Sequence, residues 1–427
     1  MDSSFIRSKR PGPEPEIGQI SVAVNGGGIG GLAAALSMLR AGLDVHVYEQ
    51  AQEMREAGAG IQVSPNATRI LNRLGLAKTL ATVGVQPLAL RQRRWDDGRT
   101  LSCAPLGDTL EAACGAPYYQ IHRADLLNVL ASRLPAERLH LGHRLTGLID
   151  HGNRVEARFE NGNRISVDVV VGADGIHSAV RRIVFGDESP QFMGCVAYRG
   201  VVAADRLAHL KLPVEFQIWM GPHKHFVHYF VRSGRMVNFV ALVDQDAWTG
   251  ESWTEHANIA NVLAAFEGWN PQVRSILEAV DEAFVWGLFA RPPMEHWSAG
   301  RVTVLGDACH AMLPFWAQGA AQAIEDGAVL AACLAQNGRL DIPQALRLYE
   351  SLRLPRTSRV QAASRENKTR FHLPDGPQQR ARDARLGDAS ADWFLKAIEW
   401  VYGHDAEAIE GMSLQGKTDT PTIASRA

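Results

Sequence analysis

Between Ser21 and Gln50 the chain reads SVAVNGGGIGGLAAALSMLRAGLDVHVYEQ, and no other stretch narrows the choice of fold as much. Val22, Ala23 and Val24 make a short apolar run, and Gly26, Gly28 and Gly31 follow with the spacing G-x-G-x-x-G. Leu32 to Arg40 are helix formers with helical apolar spacing, and Gly42 stands where a helix stop belongs. Val45, Val47 and Tyr48 resume a strand that ends on Glu49, 21 residues beyond Gly28. Strand, glycine turn, helix and second strand together form a unit that holds a dinucleotide. One glycine makes the tight turn, one lets the backbone approach a pyrophosphate, and one allows close packing of helix on strand. The pyrophosphate belongs at the helix N-terminus, where free N–H groups and the helix dipole favour anions, and Glu49 at the ribose hydroxyls. Asn25 replaces the usual apolar strand residue, a mild departure for a residue that tolerates turn conformations.

Two later stretches have the same grammar. Val167 to Arg182, VDVVVGADGIHSAVRR, reads as a buried strand, an Asp-Gly turn at Asp174 and Gly175, and a helix with Ser178 in its first turn. Arg301 to Leu334 reads as a strand ending at Gly306 and Asp307, a loop through Pro314, and a helix beginning near Gln318. Gly319, Ala320 and Ala321 open that helix, and such small residues let a planar ligand approach the backbone. The middle, Gly194 to Val243, has alternating strand-like runs separated by turn signals, whereas the chain from about Ile342 is polar and helical in propensity, interrupted at Pro355, Pro374 and Pro377. At 427 residues there is room for two or three structural units, and a net charge of −2 gives no reason to expect nucleic acid or an anionic membrane as partner. Residues 1–18 lack the hydrophobic core of a signal peptide and read as a flexible leader on a cytoplasmic protein without stable membrane association. Five widely spaced cysteines without a C-x-x-C pair point to reduced thiols and to no metal.

Together the three motifs resemble the single-component FAD-dependent aromatic hydroxylases with a para-hydroxybenzoate-hydroxylase type fold, over most of Val22 to about Glu350. The resemblance implies an α/β fold: a Rossmann-like FAD-binding domain (19–82, 116–188 and 286–345), an inserted, mostly antiparallel β-sheet substrate domain (83–115 and 189–285) and a C-terminal helical region (346–427). It assigns the ADP half of FAD to Gly26, Gly28, Gly30, Gly31, Glu49 and Gln50. It also assigns the cofactor and nicotinamide route to Gly172, Ala173, Asp174 and Gly175, the ribityl and pyrophosphate region to Gly306 and Asp307, and the flavin's pyrimidine edge to Gly319, Ala320 and Ala321. Arg123 matches a further family arginine. No second G-x-G-x-x-G follows a strand, so NADH or NADPH would visit the same cleft transiently.

Within the family, GAGIQVSPNA, VAYRG, HFVHY and GDACHAMLP look most like salicylate hydroxylases, 3-hydroxybenzoate 6-hydroxylases and 6-hydroxynicotinate 3-monooxygenases. The implied reaction is hydroxylation of a small hydroxylated aromatic acid by O2 through a flavin C4a-hydroperoxide, with salicylate to catechol the favoured example. Another phenol or heteroaromatic substrate, or a flavoprotein that senses ligand without turnover, stays open, as does monomer or homodimer. By the same resemblance His225 is the candidate base and Tyr229 its partner; four residues apart on a strand, they share a face. Gln62, Arg199, Phe315 and Trp316 are the candidate substrate contacts. Phe315 stands where relatives carry His or Gln, and Gln62 replaces the His of the hydroxynicotinate enzymes. Arg199 and Arg291 are both open as carboxylate partners, and His310 is read as structural.

Overall fold

A computed structural model describes residues 19–54, 59–248, 255–338 and 341–409; the leader therefore lies outside the described residues. The expected βαβ unit is present as strand Ser21–Asn25, helix Ile29–Arg40 and strand Asp44–Tyr48. It forms the middle of a six-stranded sheet in which Val169–Gly172 and Val302–Val304 continue the parallel order on one side and Leu139–His140 on the other, with Ser298–Ala299 antiparallel at the edge. The register puts Asn25 level with Tyr48 and Gly172, and Gly172 level with Val304. All three sequence motifs therefore leave the sheet at the same carboxyl edge, where open α/β sheets bind ligands. Asn25 joins two of them, because its Nδ2 donates to Asp174 Oδ2 at 2.9 Å.

A second, seven-stranded sheet has the order Ala283–Ala290, Gln191–Ala203, Met236–Asp244, Lys224–Val231, Phe216–Gly221, Ala89–Arg94, Thr100–Pro105. It is antiparallel except where Phe216–Gly221 runs parallel to Ala89–Arg94. The expected boundary between 285 and 286 falls inside the strand Ala283–Ala290, which pairs along Gln191–Ala203, so this sheet continues to Ala290.

The C-terminal region departs from expectation at Pro355. The helix Ile342–Phe371 runs through this proline for 30 residues. Proline removes one helix hydrogen bond and crowds the preceding turn. Here the neighbouring turns are held by tertiary bonds, with Arg353, Thr357, Val360 and Gln361 all buried. Two more helices, Pro377–Gly387 and Ala391–Tyr402, close the described chain, and among the described residues no helix is long and apolar enough to cross a membrane.

Candidate active site

A cavity of about 520 Å³ lies between the carboxyl edge of the parallel sheet and one face of the antiparallel sheet. Its size is ordinary for a ligand pocket. On the parallel-sheet side it is lined by Gly28, Gly30, Arg123, Ala173, Gly175, Gly306, Asp307, Gly319 and Ala320. The fit to a dinucleotide is carried by three features. Gly28 caps the helix Ile29–Arg40 without a side-chain bond, and a Cβ there would meet nothing within 4 Å, so the first amides of a 12-residue helix face open space. Gly319 opens the helix Gly319–Cys333 in the same way, its nearest neighbour for a Cβ being Asp307 Oδ1 at 3.9 Å. Asp307 itself lines the cavity between the two helix ends. These groups would hold the pyrophosphate, the ribityl hydroxyls and the flavin's pyrimidine edge of FAD.

Other residues expected at the cofactor shape the backbone around the cavity. Gly26 and Gly31 do not line the cavity: a Cβ on Gly31 would lie 2.0 Å from Gly26 O, and one on Gly26 (φ +118°) 2.4 Å from Ala173 O, so they allow strand, helix and loop to touch. Glu49 Oε2 accepts from Gly27 N at 2.6 Å and its Oε1 from Ala51 N at 2.8 Å, shaping the turn, and neither Glu49 nor Gln50 lines the cavity. Ala321 is buried behind the wall. Asp174, also expected near the cofactor, has partners within the protein. Its carboxylate accepts from Asn25, Ser178, Ala179 N and Val180 N and stands outside the cavity lining, fastening the second motif to the first strand and capping its own helix. Asp307→Ala is expected to weaken FAD binding about 10- to 100-fold, since a hydrogen bond to a charged group contributes about 1.5–3 kcal/mol. Flavin content after gel filtration measures it, and an undiminished content refutes the assignment.

The opposite wall comes from the strand Lys224–Val231. His225, Val227 and Tyr229 line the cavity, while Phe226 packs into the core on the other face of the sheet. Both expected residues therefore reach one ligand space. His225 is 2% exposed, with Phe315 and Phe371 rings 5.1 and 5.2 Å from its own. Burial and then the neighbouring His372 push its pKa well below the ordinary histidine range, so it is neutral. An isolated His225 therefore holds a proton poorly. Burial pushes the Tyr229 hydroxyl upward, so it stays protonated, beside the Gln62 side chain. Gln62 in turn accepts from Tyr118 Oη at 2.6 Å. Gly60 has to be glycine here: a Cβ would fall 2.6 Å from Tyr229 Oη.

Phe315 and Trp316 line the cavity as an apolar wall. Arg199 lines it too, its guanidinium stacked 4.2 Å from the centre of the Trp286 ring. Arg291 donates to the carbonyls of Ile176 and Glu188 and is not among the residues lining the cavity. His310, buried, bonds Asp326 Oδ2 at 2.6 Å.

Sequence reasoning missed the contribution of the C-terminal helices. Asn367, Arg370 and Phe371 line the cavity, and so do Trp393, Phe394, Ala397 and Ile398. The apolar stripe at spacings of one, three and four along Ala391–Tyr402 was the signal available for the last group. Nothing local marks Arg370. Its Nε is buried without a hydrogen-bond partner, and burial together with Arg382 and Arg385 lowers its pKa. Among the described residues no carboxylate pairs with it.

A protein-family model described as "FAD binding domain" matches residues 19–364. The chain is 44% identical over 388 residues to a 3-amino-4-hydroxybenzoate 2-monooxygenase of Streptomyces platensis, covering 91% of this chain and 97% of that protein. It is 39% identical over 353 residues to a 6-hydroxynicotinate 3-monooxygenase of Bordetella bronchiseptica, covering 82% and 92%. Among solved structures, a salicylate hydroxylase substrate complex superposes with a TM-score of 0.77 at 27% identity, covering 91% of this chain and 96% of that one.

Proposed function

The chain belongs to the FAD-binding-domain family and is an FAD-dependent aromatic monooxygenase, and we propose that its substrate is a benzoate bearing a hydroxyl or amino group, with 3-amino-4-hydroxybenzoate the first candidate and salicylate the second. One observation carries this reading: an apolar cavity lined at once by a neutral histidine, His225, and by an arginine without a carboxylate partner, Arg370. The arginine suits the carboxylate of an aromatic acid, and the histidine suits the proton of its ring substituent. The 44% identity to the aminohydroxybenzoate enzyme supports the first candidate and the likeness to the salicylate hydroxylase structure the second.

When bound, FAD supplies the redox chemistry, taking electrons from NAD(P)H and activating O2. The protein's own share is positional and protonic. Arg370 holds the carboxylate, Phe315, Trp316 and Phe371 keep water off the ring, and Tyr229 with Gln62 orients the ring substituent. Where that substituent is a hydroxyl, His225 accepts its proton, so that the electron pair on oxygen enters the ring and makes the carbon ortho or para to it nucleophilic; a neutral amino group donates its lone pair to the ring directly. Carbon 2 of 3-amino-4-hydroxybenzoate lies ortho to the amino group, and carbon 1 of salicylate ortho to the hydroxyl, so both fit the same demand.

The reading is tested with a panel of 3-amino-4-hydroxybenzoate, salicylate, 3-hydroxybenzoate, 6-hydroxynicotinate and 2-aminophenol, followed by NADH and NADPH oxidation and by product analysis. The substituted benzoates are expected to accelerate oxidation with oxygen recovered in the product. Arg370→Met is expected to raise KM for the acids about 10- to 100-fold, the equivalent of one charge-assisted hydrogen bond, and to leave 2-aminophenol nearly unaffected. Equal changes for acid and aminophenol would remove Arg370 from carboxylate binding.

A further inference from the structure

Behind His225 the cavity wall continues as a chain of hydrogen bonds that ends at the surface. His225 Nδ1 lies 2.7 Å from Nε2 of His372, and Nδ1 of His372 lies 2.7 Å from Oδ1 of Asp244. The two imidazoles are buried, while the Asp244 side chain is 29% exposed. The three residues come from separate elements: the strand Lys224–Val231, the C-cap of the helix Ile342–Phe371, and the last position of the strand Met236–Asp244.

This order determines where the hydrogens sit. A carboxylate only accepts, so Nδ1 of His372 carries a hydrogen and donates it to Asp244, and Nε2 of a neutral His372 is then an acceptor. Nδ1 of His225 must therefore donate to that acceptor. The remaining nitrogen of His225, Nε2, is left as a bare lone pair, the form a base requires. A serine-protease triad uses a carboxylate for the same orienting purpose; here a second imidazole is interposed.

We propose that His225, His372 and Asp244 form a proton relay that holds His225 in its proton-accepting tautomer and carries the substrate's proton out of the cavity. This rests on the reading of His225 as the base. The step balances as follows. The substrate O–H bond breaks heterolytically, its electron pair staying on oxygen, and the proton adds to Nε2 of His225. The hydrogen on Nδ1 of His225 passes to Nε2 of His372, and the hydrogen on Nδ1 of His372 passes to Asp244, which exchanges it with water. One negative charge moves from Asp244 to the substrate oxygen, and neither buried imidazole is left charged. A buried histidine that cannot keep a proton can thus still remove one.

The surroundings of the relay suit this direction of transfer. Phe315 and Phe371 face the His225 ring beside its His372 contact. Asp244 faces Lys368 Nζ at 3.6 Å and His223 Nδ1 at 3.7 Å, and its strand partner is Cys195. Burial and Asp244 push the Cys195 thiol up to about 12, so it stays protonated. Burial raises the Asp244 carboxyl, but the hydrogen bond from His372, with Lys368 and His223 adding, brings it below the usual range, so it begins each cycle ionised. His223 is exposed, and Asp244 itself is partly exposed, so the proton on Asp244 can exchange with water. Arg370 stands two residues before His372 on the same helix end.

The test uses the FAD-loaded enzyme and 4-hydroxy-3-nitrobenzoate, whose phenolate absorbs in the visible, and records by difference spectra the pH at which the bound probe ionises. In Asp244→Asn and in His372→Leu the ionisation constant of the bound probe is expected to fall about tenfold or more, an upward shift of one pH unit, with flavin content retained. Asp244→Glu is expected to restore most of it, and Asp244→Asn is expected to add nothing in the His225→Asn background. A merely structural role would lower flavin content or probe affinity and leave the ionisation pH in place. If His372→Leu does not retain FAD, Asp244→Asn decides the matter. Unchanged ionisation in flavin-replete Asp244→Asn overturns the relay while the functional reading stands. A parental enzyme that fails to bind and ionise the probe overturns both.

Discussion

His225→Asn is expected to keep its FAD and lose its coupling. No cofactor-lining residue of the parallel sheet comes from the strand Lys224–Val231, so flavin content should equal that of the parent. On the proposed reading, in which Arg370 and the aromatic wall of Phe315 and Phe371 hold the substrate, the substrate should still bind. With salicylate, whose ring is activated only when its hydroxyl is ionised, hydroxylation is expected to slow by about 10²- to 10⁴-fold, the usual contribution of one positioned acid–base group. NADH and O2 would continue to be consumed, and the reducing equivalents would leave as H2O2. Raising the pH should recover part of the hydroxylation by ionising the phenol before it binds. With 3-amino-4-hydroxybenzoate the loss is expected to be smaller, because a neutral amine donates its lone pair without first losing a proton. Product yield per NADH, compared between the two acids, measures both effects. A variant that hydroxylates salicylate at the parental rate with full coupling shows that the base is elsewhere or that the substrate enters already ionised, and leaves the flavin-site assignments intact.

The second large effect belongs to Arg353, 1% exposed in the middle of a helix that the cavity never touches at that point. Its Nη1 lies 2.5 Å from Glu325 Oε2 and its Nε 2.7 Å from Asp326 Oδ1, both carboxylates being fully buried on the helix Gly319–Cys333. Asp326 also accepts from Gly306 N at 2.9 Å and bonds His310, while Glu325 accepts from Asn66 Nδ2 and Arg356. The network thus ties the C-terminal region to the turn that presents Asp307. Removing one partner of such a cluster leaves a buried charge without compensation, and Arg353→Met is expected to lose about 3–5 kcal/mol of stability and to release FAD. Burial pushes both carboxyls up, but the guanidiniums overcome it, together with His310 at Asp326, and hold each at about 2. Their stabilisation is complete above the ordinary carboxylate range and disappears as the pH falls toward about 2. Urea midpoints and flavin content of parent and variant read the effect. An unchanged midpoint would mean that the network contributes nothing net. Replacing Arg353, Glu325 and Asp326 together with apolar residues of similar volume should be milder than the single change, since no charge is then stranded.

What the sequence by itself determined is the part of the molecule governed by local rules. The spacing of Gly26, Gly28 and Gly31, the turn at Asp174 and Gly175, and the small residues after Gln318 each depend on backbone geometry within a few positions, and each was found where the pattern put it. The two-residue period of a strand was enough to bring His225 and Tyr229 to one wall. Composition and spacing could not choose among arginines. Arg291 and Arg370 look alike in the sequence, yet one is bonded to backbone carbonyls and the other lines the cavity without a carboxylate partner. Nor could they show that Pro355 would be carried inside a helix, since tertiary packing overrides local propensity there. His372 stands 147 residues from His225 and 128 from Asp244, in a segment whose only local signature is a helix end. Hydrogen-bond partnership and desolvation are properties of groups brought together by packing across the whole chain. Motifs therefore disclosed the dinucleotide site, and only the tertiary structure decided which buried polar groups would be bonded to one another and which cation would line the cavity without a carboxylate partner.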